Sequence, residues 1–204
     1  IQFYFIKIFN YVAHMFAFKK NYFLIIESIK DIDLCNIKKH NKFVIIYRNF
    51  KKDEEITKLI KFRKNCRLKQ IKFFVANDYY LANLLNSDGI YLSAYNKSFK
   101  GLYCKKRKFR IIGSAHNYKE IFFKKRQGCE YILLSRLFQV KYKRNLNYLN
   151  VNKYNNYSII YKNLIPLGGI NILNLNKMRS VNCDSFAIFS EIKKKPVKIF
   201  NRLF

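Results

Sequence analysis

Two adjacent glycines near the end of the chain have the residue type and the placement of an anion-binding turn. Gly168 and Gly169 follow the short apolar run 165–167, and Ser190 follows a second apolar run, 186–189. Because glycine has no Cβ, the backbone N–H groups around it can approach a phosphate closely. In barrels of alternating strands and helices, the loops after the last two strands often form such a site. The sequence therefore predicts a phosphate-binding site at Gly168, Gly169 and Ser190.

Further polar residues stand where other apolar runs end, and these are the candidates for the remaining chemistry: Arg48, Asn77, Asp78, Ser114, His116 and Lys143. Polar side chains at the carboxyl ends of parallel strands meet at one face of the fold, where active sites are found. Asp78 also directly precedes a helical segment, so capping of that helix is the alternative to binding a metal. His116 has the residue type of an acid–base group, with a structural role as the alternative.

The elements that must position these residues alternate along the chain. From residue 22 onward, apolar runs of strand length alternate with longer charged segments of helical period, which is typical of βα units around a parallel sheet. We predict eight strands, the number that a closed barrel needs, over residues 22–27, 42–47, 71–76, 89–92, 110–114, 130–135, 164–167 and 185–189. Helices are predicted over 53–66, 79–86, 118–127, 171–180 and 191–203. Residues 141–156 have neither period and are predicted to form a mobile loop after the sixth strand.

An open, doubly wound sheet fits the same alternation. No glycine-rich dinucleotide-binding or P-loop motif follows the first strand, however, and we therefore favour a closed (β/α)8 TIM barrel. The barrel is expected to occupy residues 21–204 as a single compact domain, which suits a chain of 204 residues. Residues 1–20 are apolar and aromatic but interrupted by polar residues, and we predict an N-terminal extension, either an extra helix or a peripheral anchor.

The net charge and the cysteine content limit which binding partners and which cellular compartment we expect. The chain has 41 Lys and Arg residues against 12 Asp and Glu residues, a formal net charge of +29. Because lysines occur in almost every segment, we interpret them as solvated helix faces, and we expect small phosphorylated substrates, no nucleic acid and no membrane as partners. An RNA-associated basic protein is the alternative and predicts one continuous basic face. The five cysteines form no C-x-x-C pair and predict reduced thiols in a cytoplasmic protein.

A series of short motifs, in this order and at this spacing, resembles the thiamine phosphate synthase/TenI family. The similarity is greatest to the short, divergent members of that family in alphaproteobacteria, and it covers residues 22–192. The motifs are Asn77-Asp78-x2-Leu81-Ala82, Asp88-Gly89-Ile90-Tyr91-Leu92, Gly113-Ser114-Ala115-His116, Tyr131-Ile132-Leu133-Leu134-Ser135, Pro166-Leu167-Gly168-Gly169-Ile170 and the segment 184–192.

The resemblance implies a (β/α)8 barrel that joins hydroxymethylpyrimidine diphosphate to a thiazole phosphate and releases pyrophosphate, a step of thiamine biosynthesis. In that reaction Mg²⁺ and basic residues hold the leaving diphosphate, and the thiazole nitrogen captures the pyrimidine cation. Such chemistry needs stabilisation of charge more than a protein nucleophile. Arg48, Lys143 and His116 are then the predicted catalytic residues, and Asn77 and Ser114 join the glycines and Ser190 as substrate-binding residues.

The resemblance also implies that the phosphate end of the site is retained and the metal end altered. Gly168, Gly169 and Ser190 match the family's thiazole-phosphate site. Asp78 matches the Asp of an Asn-Asp pair that binds Mg²⁺, but Lys97 stands where the second metal-binding Asp is expected. Because this change removes a ligand oxygen and adds a cation, the sequence predicts weaker Mg²⁺ coordination, with the Lys97 ammonium replacing part of the metal's charge.

Two other functions stay open at this point. One is the thiazole tautomerase activity of the TenI branch; Arg136 stands at the position of its catalytic histidine, and an arginine shuttles protons poorly near neutral pH, which leaves His116 as a substitute. The other is a non-catalytic barrel that binds a thiazole phosphate and has lost the metal site.

Overall fold

The strands of the protein form a closed parallel barrel. The computed structural model describes residues 20–37, 41–51, 53–104, 109–140 and 147–194. Its strands are β1 (Asn21–Ile26), β2 (Phe43–Tyr47), β3 (Lys72–Ala76), β4 (Gly89–Leu92), β5 (Arg110–Ala115), β6 (Tyr131–Ser135), β7 (Leu164–Leu167) and β8 (Ser185–Ile188). Each strand pairs with the next in the chain, and β8 pairs with β1 to close the barrel. The predicted (β/α)8 barrel is confirmed, and each predicted strand lies within one residue of the observed bounds.

Helices cover the outside of the barrel. They are α1 (Ile56–Leu68), α2 (Tyr79–Leu84), α3 (Lys100–Cys104), α4 (Tyr118–Arg126), α5 (Asn150–Ile160) and α6 (Ser190–Lys194), and short 3-10 helices occupy Ile29–Asp31, Leu34–Asn36 and Leu175–Ser180. Among the described residues, no helix has both the length and the apolar character needed to cross a membrane.

The strand side chains alternate between the inside of the barrel and the layer beneath the helices. Phe23 and Ile25 of β1 belong to the interior cluster, whereas Tyr22, Leu24 and Ile26 belong to the outer core. Because both faces of such strands are covered, their sequences are nearly continuous apolar runs. This coverage explains why the strand bounds are readable from the sequence.

The segment after β6 contains a helix, so the prediction of a loop is wrong for residues 150–156. In α5, Tyr154 is fully buried, and its hydroxyl donates a hydrogen bond of 2.9 Å to the carbonyl oxygen of Leu164 in β7. Tyr157, three residues later, packs partly buried against the same core. The helix is rich in asparagine, a weak helix former, so packing against the barrel supplies what intrinsic propensity does not.

One other predicted helix differs from the observed element, since the helix predicted over 171–180 is the 3-10 helix Leu175–Ser180. The helix predicted over 191–203 is observed as α6 as far as Lys194, and its remainder, 195–203, lies outside the described residues. The division into an extension over 1–20 and a barrel over 21–204 stays a prediction, since residues 1–19 and 195–204 lie outside the described part.

Candidate functional site

A cleft opens at the carboxyl ends of the strands. Its volume is about 380 Å³. It brings together predicted residues that are far apart in the sequence: Arg48, His116, Gly168, Gly169 and Ser190. Its floor includes Ile25 and Ala187, which belong to the barrel interior. The cleft is therefore built directly on top of the barrel core, as in enzymes of this architecture.

The Gly168-Gly169 turn follows β7 and is held against the loop after β6. Both glycines have positive φ, 94° and 72°, a conformation that residues with a Cβ seldom adopt. The carbonyl oxygen of Gly168 accepts a hydrogen bond of 3.0 Å from the backbone N–H of Phe138. In the described part of the chain, the backbone N–H groups of Gly169 and Ile170 donate no hydrogen bond. These donors lie beside the cleft, which is the arrangement that an anion-binding turn requires.

The far side of the turn is fixed by two asparagines. The carbonyl oxygen of Gly169 accepts hydrogen bonds from the side-chain amides of Asn171, at 3.1 Å, and Asn174, at 2.7 Å. Ser190, the first residue of α6, lines the same cleft as the turn. The turn is thus anchored through its carbonyl groups, which leaves its N–H groups available to a ligand.

Arg48, which follows β2, brings a positive charge into the cleft. Its guanidinium carbon lies 5.2 Å from the ring centre of Phe50 and 4.8 Å from that of Phe189. One terminal nitrogen is 3.9 Å from Glu27, a loose ion pair. Its Nε is buried and has no hydrogen-bond partner among the described residues. A buried donor left unpaired is costly, so Arg48 is suited to a bound anion that would accept its hydrogen bond.

Beneath Arg48, polar atoms continue into the barrel. Tyr91 of β4 lies in the interior cluster and is 1% exposed, and Ser114 of β5 is buried as well. Burial raises the pKa of Tyr91, while the neighbouring Ser114 hydroxyl and Arg48 guanidinium oppose that increase. Ser114, predicted to bind substrate, therefore lies below the cleft among these groups and not on its lining.

His116 follows β5 and is paired with a carboxylate at the cleft wall. Its Nδ1 is 3.0 Å from Oε2 of Glu120, and its backbone N–H donates to the same oxygen at 2.8 Å. Glu120 also accepts from the Asn117 side chain, and Asn117 in turn caps α4. The ring of Tyr95 stands 6.3 Å from that of His116. A histidine fixed by a carboxylate in this way has the arrangement of a proton-transfer group.

Asn77 and Asp78 lie away from the cleft. Asn77 has φ of 58° and its side-chain oxygen accepts from the Ser93 backbone and the Asn96 amide. The Asp78 carboxylate caps α2 by accepting a 2.9 Å hydrogen bond from the Leu81 N–H. Asp78 lines a separate cavity of about 210 Å³ between α1 and α2.

A metal site is not found among these residues. The described part of the chain contains no group of three His, Cys, Asp or Glu side chains that could hold a metal ion. Lys97 is exposed and is not part of the cleft lining. Lys143 lies outside the described residues, so its predicted role stays a prediction.

Tyr95 and Glu120 line the cleft but are absent from the sequence-based site residues, and Arg136 appears there only at the position of the tautomerase histidine. Glu120 stands three residues after Asn117, and this Asn-x-x-Glu spacing at the start of a helix is a signal that sequence reasoning could have used. Tyr95 and Arg136 lie in loops, where no periodic pattern marks them.

Comparisons with known proteins agree with the fold. A family model described as "Thiamine monophosphate synthase" matches residues 36–192. A thiamine-phosphate synthase from Pelagibacter ubique is 27% identical over 188 residues, which cover 84% of this chain and 87% of that protein. The solved structure of a thiamine phosphate pyrophosphorylase from Pyrococcus furiosus superposes with a TM-score of 0.71 at 16% identity, covering 93% of this chain and 95% of the other. A 3-keto-L-gulonate-6-phosphate decarboxylase from Vibrio cholerae shares the barrel, with a TM-score of 0.58, 10% identity and coverage of 91% and 97%.

Proposed function

The chain belongs to the thiamine monophosphate synthase family, and on this basis we propose that it is a transferase that joins hydroxymethylpyrimidine diphosphate to a thiazole phosphate. The observation that carries the proposal is the convergence of Gly168, Gly169, Ser190 and Arg48 on one cleft. The volume of the cleft lies within the range of small-molecule sites in proteins. Its donors are backbone N–H groups and a guanidinium, which are groups that bind phosphate esters.

Each end of the cleft has a distinct part in this proposal. The thiazole phosphate would accept hydrogen bonds from the Gly168-Gly169 turn and from Ser190. Arg48 would lie beside the diphosphate of the pyrimidine substrate and stabilise the negative charge that develops as this group leaves. Because Arg48 is packed between Phe50 and Phe189, its charge is held in place before the substrate arrives.

The resemblance implies Mg²⁺, but the described residues do not fit a magnesium site. The only carboxylate matched to the metal, that of Asp78, caps α2 and lines a different cavity from Arg48. A lysine at position 97 offers no ligand oxygen, and Mg²⁺ requires oxygen ligands in near-octahedral geometry. We therefore assign no step of the reaction to a metal bound by these residues.

Incubation of the protein with both substrates, followed by chromatography of thiamine phosphate, tests the proposal. The assay is run with Mg²⁺ and with a chelator, and a competent synthase in parallel verifies the substrates. We expect thiamine phosphate and pyrophosphate in equal amounts. Failure to form thiamine phosphate under conditions in which the reference enzyme is active would refute the transferase assignment.

The Arg48→Gln variant tests whether the activity resides in the cleft. Loss of a donor aimed at developing charge typically lowers turnover about 10²- to 10³-fold. Lys64→Gln is the matched control, because it removes one positive charge from an exposed position of α1 outside the cleft. A similar loss in both variants would show that the general positive field, and not Arg48, attracts the substrates.

Calorimetry separates the transferase from a non-catalytic binder. We expect the thiazole phosphate to bind the wild-type protein, and the diphosphate substrate to bind it but to bind Arg48→Gln more weakly. Binding of the thiazole phosphate without any binding of the diphosphate substrate would favour the non-catalytic barrel.

A thiazole tautomerase is a second candidate, favoured by the His116–Glu120 pair in the same cleft. With Nδ1 facing the carboxylate, the other ring nitrogen is the one left to exchange a proton with a ligand. Conversion of the thiazole phosphate tautomer in D₂O, followed by NMR, measures this activity. Conversion by the wild type but not by His116→Gln supports it, and no conversion by either protein excludes it.

A further inference from the structure

A lysine of α4 is buried inside the protein, and its hydrogen-bond acceptors among the described residues are neutral oxygens. Lys124 is 0% exposed, and its ammonium donates hydrogen bonds to the carbonyl oxygens of Ser93 and Asn96, both at 2.7 Å. A third hydrogen bond of 2.9 Å goes to the side-chain oxygen of Gln127. In the described part of the chain, Lys124 forms no ion pair. Burying a charged group is costly unless all of its hydrogen bonds are made, so Lys124 can stay buried because these three oxygens accept its hydrogen bonds.

The three acceptors match the three N–H bonds of an ammonium. Burial lowers the pKa of Lys124, but a neutral amine has only two N–H bonds and would lose one of the three hydrogen bonds, whereas the ammonium donates all three. The charged form is therefore the one that satisfies the geometry. The three oxygens surround the Lys124 ammonium as ligand oxygens surround a bound cation.

Gln127, the C-cap residue of the same helix, also binds the segment that contains Ser93 and Asn96. It is fully buried, and its side-chain amide donates to the carbonyl oxygens of Asn96, at 3.1 Å, and Ser98, at 2.7 Å. Together the two side chains hold three carbonyl groups of residues 93–99, which we call the β4 loop because they follow β4. Asn77 holds the same loop from the other side through Ser93 and Asn96.

The barrel wall is shaped to admit the lysine. A Cβ on Gly113 of β5 would lie 3.0 Å from Cδ of Lys124 and 2.7 Å from the sulfur of Cys129. Any side chain at this position would therefore obstruct the lysine stem. The stem of Lys124 therefore packs against β5 at a position where the strand carries no side chain.

The β4 loop carries one residue of the cleft. Tyr95 is 88% exposed, lines the cleft and stands beside His116. We propose that Lys124 is a positioning residue, which holds the β4 loop so that the Tyr95 ring forms a wall against a planar ring of the bound ligand. The identity of that ligand, a thiazole phosphate, rests on the proposed function. The attachment of the loop does not, and it is tested without ligand.

The absence of tryptophan from the chain allows a direct measurement of the loop. Tyr95→Trp places a single indole fluorophore at the cleft and keeps a planar ring there. In this background we compare Lys124→Met, which retains an apolar stem but cannot donate, with Lys119→Met, an exposed position of the same helix. We expect lower anisotropy of the indole fluorescence in Lys124→Met only, and amide hydrogen exchange of residues 93–99 faster by about tenfold or more, since bonds to a charged donor are lost.

A second, milder variant keeps the positioning role testable if Lys124→Met does not fold. Gln127→Leu removes the two hydrogen bonds to Asn96 and Ser98 and the one that Lys124 donates to Gln127, while Lys124 keeps its bonds to Ser93 and Asn96. It should shift anisotropy and exchange in the same direction, but less. Circular dichroism and the unfolding transition of each variant verify that the barrel is intact. Unchanged indole anisotropy and unchanged exchange in Gln127→Leu and in folded Lys124→Met would overturn the positioning role.

A double-mutant cycle tests whether Lys124 acts through Tyr95. Calorimetry of the thiazole phosphate is expected to show about two- to tenfold weaker binding in Tyr95→Ala, the range for an aromatic contact, and a similar loss in Lys124→Met. Lys124→Met should cause no further loss in the Tyr95→Ala background. Equal losses in both backgrounds would overturn the proposal. Absence of binding by the wild type would refute the proposed function, while the anisotropy and exchange measurements still decide whether Lys124 holds the loop.

Discussion

Replacing Gly169 by alanine tests the part of the cleft that depends on backbone conformation. At this position φ is 72°, and an added Cβ would lie 2.5 Å from the carbonyl oxygen of Phe138 and 2.8 Å from that of Gln139. These are backbone atoms, which cannot turn aside as the end of a flexible side chain can. The turn after β7 and the loop after β6 would therefore have to separate.

The expected cost follows from two effects. The left-handed conformation costs a residue with a Cβ about 1–2 kcal/mol. Overpacking typically adds about 1–3 kcal/mol, which gives a total loss of roughly 2–5 kcal/mol in the free energy of unfolding. At Gly168, φ is 94° and a Cβ would meet Arg136 only at 3.2 Å, so Gly168→Ala should cost little beyond the conformational effect, about 1–2 kcal/mol.

Gly101→Ala is the control. Gly101 lies in α3, where a Cβ would meet the end of the Ile111 side chain at 3.1 Å, and alanine is the better helix former by up to about 1 kcal/mol. Urea denaturation of the three variants gives the unfolding free energies, and calorimetry gives the affinity for the thiazole phosphate. We expect the largest loss of both in Gly169→Ala. Wild-type stability of Gly169→Ala, or a larger loss in Gly168→Ala, would refute the reasoning from close packing at Phe138.

Three further predictions concern buried groups outside the cleft. Tyr154→Phe removes the hydrogen bond to the Leu164 carbonyl and should lower the free energy of unfolding by about 1 kcal/mol in urea denaturation; no change would mean that α5 does not depend on this bond. A thiol reagent should modify exposed Cys35 in the native protein and leave Cys66 untouched until unfolding, as peptide mass mapping would show; native labelling of Cys66 would contradict its burial. Burial raises the pKa of Cys66 from 9.0 to about 12, so an unfolded thiol ionises first as pH rises. This contribution to stability is fully present below pH 9 and should fall by about 1.4 kcal/mol per pH unit from there towards pH 12, and unfolding free energies that do not decrease between pH 8 and pH 10 would contradict it.

The barrel is predictable from the sequence because its strands are covered on both faces. The bounds of Gly89–Leu92 and Leu164–Leu167 are the same in prediction and structure, since each is an apolar run closed by polar residues or glycine. The helix Asn150–Ile160 escapes prediction for the opposite reason. Only Tyr154 is buried in it, and the partner of its hydroxyl is in β7, which the local sequence does not reveal.

The residues that shape the cleft from a distance are harder to predict. Lys124 looks like one more lysine of a basic helix, and only the fold shows that Gly113 leaves room for it and that the carbonyl groups of the β4 loop surround it. Its neighbour Lys125 differs in nothing that the sequence displays, yet it is exposed and lies over the ring of Tyr161. Burial of a charge depends on contacts between distant segments, and these are absent from any local pattern.

The two ends of the candidate site differ in how far the residue type determines the role. A backbone turn with positive φ and carbonyl groups within 3 Å of a Cβ position requires glycine, so the pair Gly168-Gly169 indicates its own conformation. A carboxylate after a strand has two uses, capping the next helix or binding a cation, and the same aspartate serves either. In Asp78 the first use is realised, because the Leu81 N–H lies within hydrogen-bonding distance of its carboxylate. The choice is made by side-chain direction, so the conformation of the glycine turn can be predicted from residue types, whereas the role of Asp78 requires the structure.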